Sequence, residues 1–281
     1  MYKIYPPQIT ATKAYQTSTE SIRDKHKRTA FRACVSEIEA SCKEYDLLGE
    51  AARFETALPS SFEVPSLDHG GMPELYDKQF SRVKKTEELR DIIKSGAENN
   101  LCPYCGIGYT SQLDHYLPKS EFHAVAVHPL NLVPSCADCN KVKSTYFPSL
   151  SSPAVFHPYF DKVFDIAWLE AAIVQGHDNH SVAQFGVDSK ITDAQLRSRM
   201  SRHLEVFDLH NRFSSVASQL IQEFETMLGN SGQKVTLNQA KRHLEMSIQT
   251  STTLRLNDCR AATYRAMLSS PWYLSSFPHL K

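Results

Sequence analysis

Apolar residues recur at helical spacing along most of this chain. Across 18–48, Ile22, Ala30, Phe31, Cys34, Val35, Ile38 and Leu47 form a rough stripe that predicts a helix, with Ser18, Thr19 or Ser21 near its start as a cap. Residues 57–73 (ALPSSFEVPSLDHGGMP) are rich in Pro, Ser and Gly and read as a loop. Leu75, Phe80, Val83, Leu89, Ile92 and Ile93 predict a second helix over 74–95, with Gly96 as its stop. The periodicity is then lost over 101–148. Residues 149–166 mix turn residues and aromatics with short strand-like runs, and 180–189 (HSVAQFGVDS) read as a strand. Helical spacing returns at 192–228, with a bend or break expected at 208–211 and a stop at GNSGQ. Thr236 with Gln239 forms a capping-box pattern for a last helix to about 268, which Pro271 should stop. The expected fold is α+β and mostly α-helical. It falls into a helical region at 1–96, a small motif-dense module at 97–150 and a mainly helical region at 151–281.

Composition narrows the function classes. Of 281 residues, 41% are hydrophobic and 22% charged, as in ordinary globular chains. Thirty-one Lys and Arg balance 31 Asp and Glu, so bulk charge cannot drive binding to a polyanion and any such site must be local. Arg23, Lys27 and Arg28 in the first helical stretch, Lys84 and Lys85 in RVKK, and Lys119 in the module are the candidate phosphate contacts. The plainer reading of such charges is a solvated helix face. No apolar run approaches the ~20 residues of a membrane span. MYKIYPPQIT lacks the apolar stretch of a secretory signal, so a cytoplasmic setting is expected.

Seven cysteines are present, and in a reducing compartment their spacing matters more than their number. Cys102 and Cys105, and Cys136 and Cys139, form two C-x-x-C pairs. Each pair places two sulfurs on one side of an ion, and four thiolates complete a tetrahedral zinc site. The second pair follows PS, so its sulfurs should project from a first helical turn. Cys34, Cys42 and Cys259 read as packed thiols. CPYC also has the form of a thioredoxin-like redox pair, but no βαβ pattern surrounds it.

Between the pairs stand LDHYLPKS, NLVPSC and CADCNKVK. A purely structural zinc ribbon has no need of their Asp, His, Asn and Lys. Together these motifs resemble the HNH endonucleases, also called ββα-metal or His-Me finger nucleases, over residues 98–148. The resemblance implies a β-hairpin and helix gripping one divalent cation. It implies that His115, at the end of the first strand, is the general base and that the neighbouring Asp114 is a metal ligand. Asn131 matches the middle Asn, which braces the hairpin loop and helps orient the histidine. Asn140 stands where the family has His or Asn as its second metal ligand. An amide oxygen there suits Mg²⁺ or Mn²⁺ and argues against a softer metal that needs imidazole. Lys143 lies one turn after Asn140, where it could contact the scissile or a neighbouring phosphate.

The residue types suit phosphodiester hydrolysis on chemical grounds as well. A neutral imidazole can take a proton from water near pH 7, and one hard cation can stabilise the leaving oxygen. Nucleic acid is the implied substrate, with DNA the expected polymer. The module carries Lys119, Lys141 and Lys143 against Asp114, Glu121 and Asp138, so its own affinity for nucleic acid should be modest. The general layout also looks like HNH proteins of bacterial antiviral defence systems, Septu-type ones among them. That likeness implies a protein partner such as an ATPase subunit, or a homo-oligomer. The rival reading is a non-catalytic zinc-ribbon scaffold that binds nucleic acid or protein.

Overall fold

A computed structural model describes residues 1–67, 70–176, 180–230 and 235–276. It is α+β and mostly helical, with two small antiparallel sheets. No helix among the described residues is long and apolar enough to cross a membrane. The three segments 1–96, 97–150 and 151–281 follow the motifs, whereas compactness divides the chain in two. One unit is Lys3–Asp161, and the other is Met1–Tyr2 with Lys162–Lys281.

The Lys3–Asp161 unit begins with α1 (Ala11–Thr19), α2 (Lys25–Ala33) and α3 (Val35–Glu50). The single helix expected over 18–48 is thus broken at 20–24 and again at Cys34. At the first break Asp24 caps α2, its side chain accepting from Lys27 N. A short α4 (Gly71–Glu74) runs into a π-helical segment, Leu75–Phe80, and a turn leads to α5 (Glu87–Ser95). The helix expected over 74–95 is therefore also interrupted. The buried Thr86 closes the gap, its hydroxyl lying within 3.1 Å of the carbonyls of Gln79, Phe80 and Val83.

Strand β1 (Gln112–His115) pairs with β2 (Leu132–Ser135), Asp114 opposite Val133 and His115 opposite Leu132, and α6 (Ala137–Lys143) follows at once. Both strands are four residues long. A hairpin this small needs support on its faces, and α5 packs on β2 while α6 packs on β1. Beneath lies an aromatic core of Tyr45, Phe54, Tyr116, His157 and Phe160. His157 is fully buried there, its Nε2 at 2.9 Å from the Tyr45 hydroxyl and its Nδ1 accepting from Tyr159 N.

The other unit is built on a hairpin of β3 (Leu169–Gln175) and β4 (Ser181–Val187). The sequence signals β4, but β3 follows the run at 149–166 in which short strands were expected. Those residues instead form turns, an isolated antiparallel bridge between Ser149 and Ser152, and a 3₁₀ turn at Val163–Asp165. Asn257 fixes where β3 starts: its Oδ1 accepts from Trp168 N and Leu169 N, and its Nδ2 donates to Ile166 O. Helices α7 (Ala194–Val206), α8 (Leu209–Asn230), α9 (Leu237–Leu254), α10 (Cys259–Ser269) and α11 (Pro271–Ser275) complete the unit. Helix α10 packs on β3, and α8 packs on β4. The break between α7 and α8 falls at Asp208, which takes a left-handed φ of 50°. The capping box at Thr236 and Gln239 is formed. The last expected helix is two, divided at 255–258; the second ends at Ser269, just before Pro271 as expected, and Pro271 also opens α11, because a first-turn proline gives up no intrahelical bond. The GNSGQ stop lies largely outside the described residues.

Candidate functional site

The four paired cysteines converge. Cys102, Cys105, Cys136 and Cys139 are all buried, and their sulfurs lie within 4.8 Å of one another. Four ligands at ~2.3 Å from one tetrahedral zinc would stand about 3.8 Å apart, and Cys105 Sγ and Cys136 Sγ are 3.9 Å apart. The local backbone is that of two knuckles. In the first, Gly106 donates to Cys102 O and takes a φ of 72°, which suits glycine, and Gly108 N donates to Cys105 Sγ. In the second, Cys136 caps α6 and its sulfur accepts from Cys139 N. Burial pushes the Cys102 thiol well up, so four thiolates would coexist here only around a cation. The cluster could hold a zinc ion.

Alternation along β1 sends Gln112 and Asp114 to one face and Leu113 and His115 to the other. On the first face Asp114, 2% exposed, meets α6 and the first knuckle. Its Oδ2 accepts from the Tyr104 hydroxyl at 3.0 Å and lies 3.1 Å from Lys143 Nζ. Oδ1 has only a long 3.4 Å approach from the same amine. Burial raises the Asp114 pKa, while Lys143 and Tyr104 oppose it. Alongside, the Asn140 amide nitrogen donates to Gln112 Oε1, which leaves the Asn140 carbonyl end free to accept.

Lys143 stands apart from its expected place at a phosphate. It is 1% exposed, and its amine donates to His115 O at 2.6 Å as well as to Asp114. The last turn of α6 points this side chain under the hairpin instead of into solvent. A buried carboxylate stripped of its only cation is costly, so Lys143→Met should destabilise the protein by about 3–5 kcal/mol. Chemical denaturation would read this. A variant of unchanged stability would show that the pair carries little.

On the other face, His115 Nε2 sits 2.9 Å from Ala126 O. A carbonyl only accepts, so Nε2 carries the proton and Nδ1 keeps the lone pair. Burial is the main cause holding the ring pKa down at about 3, and the ring is neutral at physiological pH. Tyr76 packs edge-on against it, ring centroids 4.3 Å apart. Asn131 secures the loop that carries Ala126. Its Oδ1 accepts from Leu117 N, and its Nδ2 donates to Leu117 O and Val125 O at 3.0 and 3.1 Å. Asn131→Ala would orphan these buried groups, so a loss of at least about 2 kcal/mol is expected in chemical denaturation. A loss within error would assign the loop's order to other contacts.

Asp114, His115, Asn140 and Lys119 line one cleft of about 590 Å³. Arg90 and Lys94 of α5 line it too, and sequence reasoning passed over both because they lie upstream of every motif. Tyr104 was also missed, although its place inside CPYC fixes it beside the clustered cysteines. Lys119 lies over the Tyr76 ring and pairs with Asp77. The remaining basic candidates stand elsewhere. Lys27 pairs with Glu74, Arg28 donates to Ile22 O, Lys84 lines a different, acidic depression with Glu87 and Glu88, and Arg23 and Lys85 are exposed.

No protein-family model matches this chain, and no solved structure does. Protein ea31 of Escherichia phage lambda is 30% identical over 175 residues, which are 60% of this chain and 58% of that protein. The chain therefore spans less than two thirds of its relative's length, and the relative's name states no activity.

Proposed function

We propose that the protein is a metal-dependent endonuclease of the HNH type, hydrolysing phosphodiester bonds in nucleic acid, with DNA the expected polymer. One observation carries the reading: Asp114, His115 and Asn140 line a single cleft on a β-hairpin–helix unit tied together by four clustered cysteines. In this reading the hairpin and α6 are the ββα-metal element, and zinc on the four cysteines is structural.

His115 supplies the base. Its protonated Nε2 is held by Ala126 O, so Nδ1 can accept a proton from an attacking water. Asn131 acts as a positioning residue through the loop that presents Ala126. Asn140 keeps its carbonyl oxygen free and Asp114 Oδ1 has only the long 3.4 Å contact from Lys143, a donor pair that suits Mg²⁺ or Mn²⁺. A cation held there would stabilise charge on the leaving oxygen. Lys143 holds Asp114 and the end of β1 in place from below. The resemblance of the sequence layout to that of defence nucleases favours a role as a nuclease effector beside a partner subunit. The direct test is digestion of plasmid DNA and of RNA with Mg²⁺ or Mn²⁺. Cleavage by wild type that is lost in His115→Ala supports the reading. Absence of cleavage on both polymers, with binding retained, favours the scaffold alternative.

A further inference from the structure

We infer that α5, outside the HNH-like motifs, provides the phosphodiester-binding wall of this cleft through Arg90 and Lys94. The inference rests on the nuclease reading and extends it to substrate binding.

The cleft is lined by three cationic side chains, Arg90, Lys94 and Lys119, against one carboxylate, Asp114. Asp114 is already paired with Lys143 beneath it. The open face is therefore built for an anion, although the chain as a whole is neutral. Arg90 and Lys94 are four apart on α5 and share one helix face, spaced about 6 Å apart along the axis, close to the separation of adjacent phosphates on a strand.

Arg90 is held firmly. Its Nη1 donates to Phe80 O, Val83 O and the Thr86 hydroxyl. That fixes the guanidinium plane and leaves the donors of Nε and Nη2 for a ligand, the fork geometry that suits a phosphate. Lys94 makes no ion pair among the described residues. Helix α5 also leads through a short turn into Cys102, and it packs on β2. The wall is thus anchored to the same frame that positions His115. Lys119 is held by Asp77 and the Tyr76 ring, so the free cationic capacity lies mainly on α5.

The test uses full-length protein carrying His115→Ala, which suppresses cleavage and lets binding be measured in Mg²⁺ without a chelator that would remove zinc. Fluorescence anisotropy with a labelled DNA duplex and a labelled RNA, over a range of salt, gives the slope of log affinity against log salt. Adding Lys94→Met should lower that slope by about 0.9 on duplex DNA and weaken binding about fivefold to tenfold near 0.1 M salt. Lys94→Arg should restore both. Arg90→Lys keeps a cation to cap the Phe80 and Val83 carbonyls but loses the fork, and should also weaken binding. Lys43→Met, at an exposed lysine on α3 away from the cleft, is the control and should leave the slope unchanged. If the parent binds but Lys94→Met and Arg90→Lys leave slope and affinity intact, this inference is overturned while the nuclease reading stands. It is overturned in the same way if Lys43→Met lowers the slope equally, since binding would then be diffuse. A parent that binds neither polymer overturns both.

Discussion

His115→Ala should lower cleavage by about two to four orders of magnitude, the range expected for losing a general acid–base group. The geometry explains why the loss should be that large and why it should be confined to chemistry. One ring nitrogen is held by Ala126 O and the other carries the lone pair. Burial lowers the ring pKa, so at physiological pH the ring is neutral and Nδ1 keeps its lone pair, as the proposed base requires. The described histidines nearest to it in sequence are engaged elsewhere. His128 is bonded to Asp46, His157 is enclosed in the aromatic core, and His123 bonds to Ser120 O. The substitution removes one bond to Ala126, whose loop remains secured by Asn131, so circular dichroism and nucleic-acid binding should match wild type. Timed digestion of labelled DNA and RNA is the measurement. Undiminished cleavage by the alanine variant would sink the assignment of His115.

Much of this site is legible in the sequence because its parts are close in the chain. The two C-x-x-C pairs announce a candidate zinc site by spacing alone, and the structure brings all four sulfurs together. The end of β1 at His115 and the start of α6 just after Cys136 could likewise be read locally. What could not be read depends on tertiary direction. Nothing in NKVK says that Lys143 turns inward to Asp114, because a lysine near a helix end is ordinarily solvated. Arg90 and Lys94 look like surface charges on an amphipathic helix until α5 is seen against β2. The helix errors have a different cause. Apolar spacing persists across 20–24, 81–86 and 255–258, so periodicity alone runs on where Asp24 and Asp258 cap a new helix and Thr86 ties off the carbonyls of the preceding turn.

Removal of zinc should unfold the Cys-bearing region and abolish activity together. The protein as purified should contain one zinc per chain, and Cys136→Ser or exhaustive chelation should release it. Structural zinc on thiolates contributes about 10–16 kcal/mol near neutral pH. Whole domains are stable by only about 5–15 kcal/mol, so little order should remain around a four-residue hairpin once the ion is gone. The consequence reaches the candidate chemistry through one side chain. Tyr104 lies between two ligands in CPYC and donates to Asp114, so collapse of the first knuckle withdraws a partner from the carboxylate that adjoins His115. Four cysteine ligands would close the coordination sphere, leaving no position for a substrate water, and the loss is therefore structural in origin. Two measurements separate this from the alternatives. Asp114→Ala should lose cleavage yet retain its zinc, which distinguishes the zinc site from the catalytic cation site. All seven thiols are buried, so thiol titration should show a gain of four reactive thiols on chelation, whereas a redox pair at CPYC would respond to mild oxidant with zinc untouched. A Cys136→Ser protein with native near-UV dichroism and full activity would overturn the structural role of the cluster.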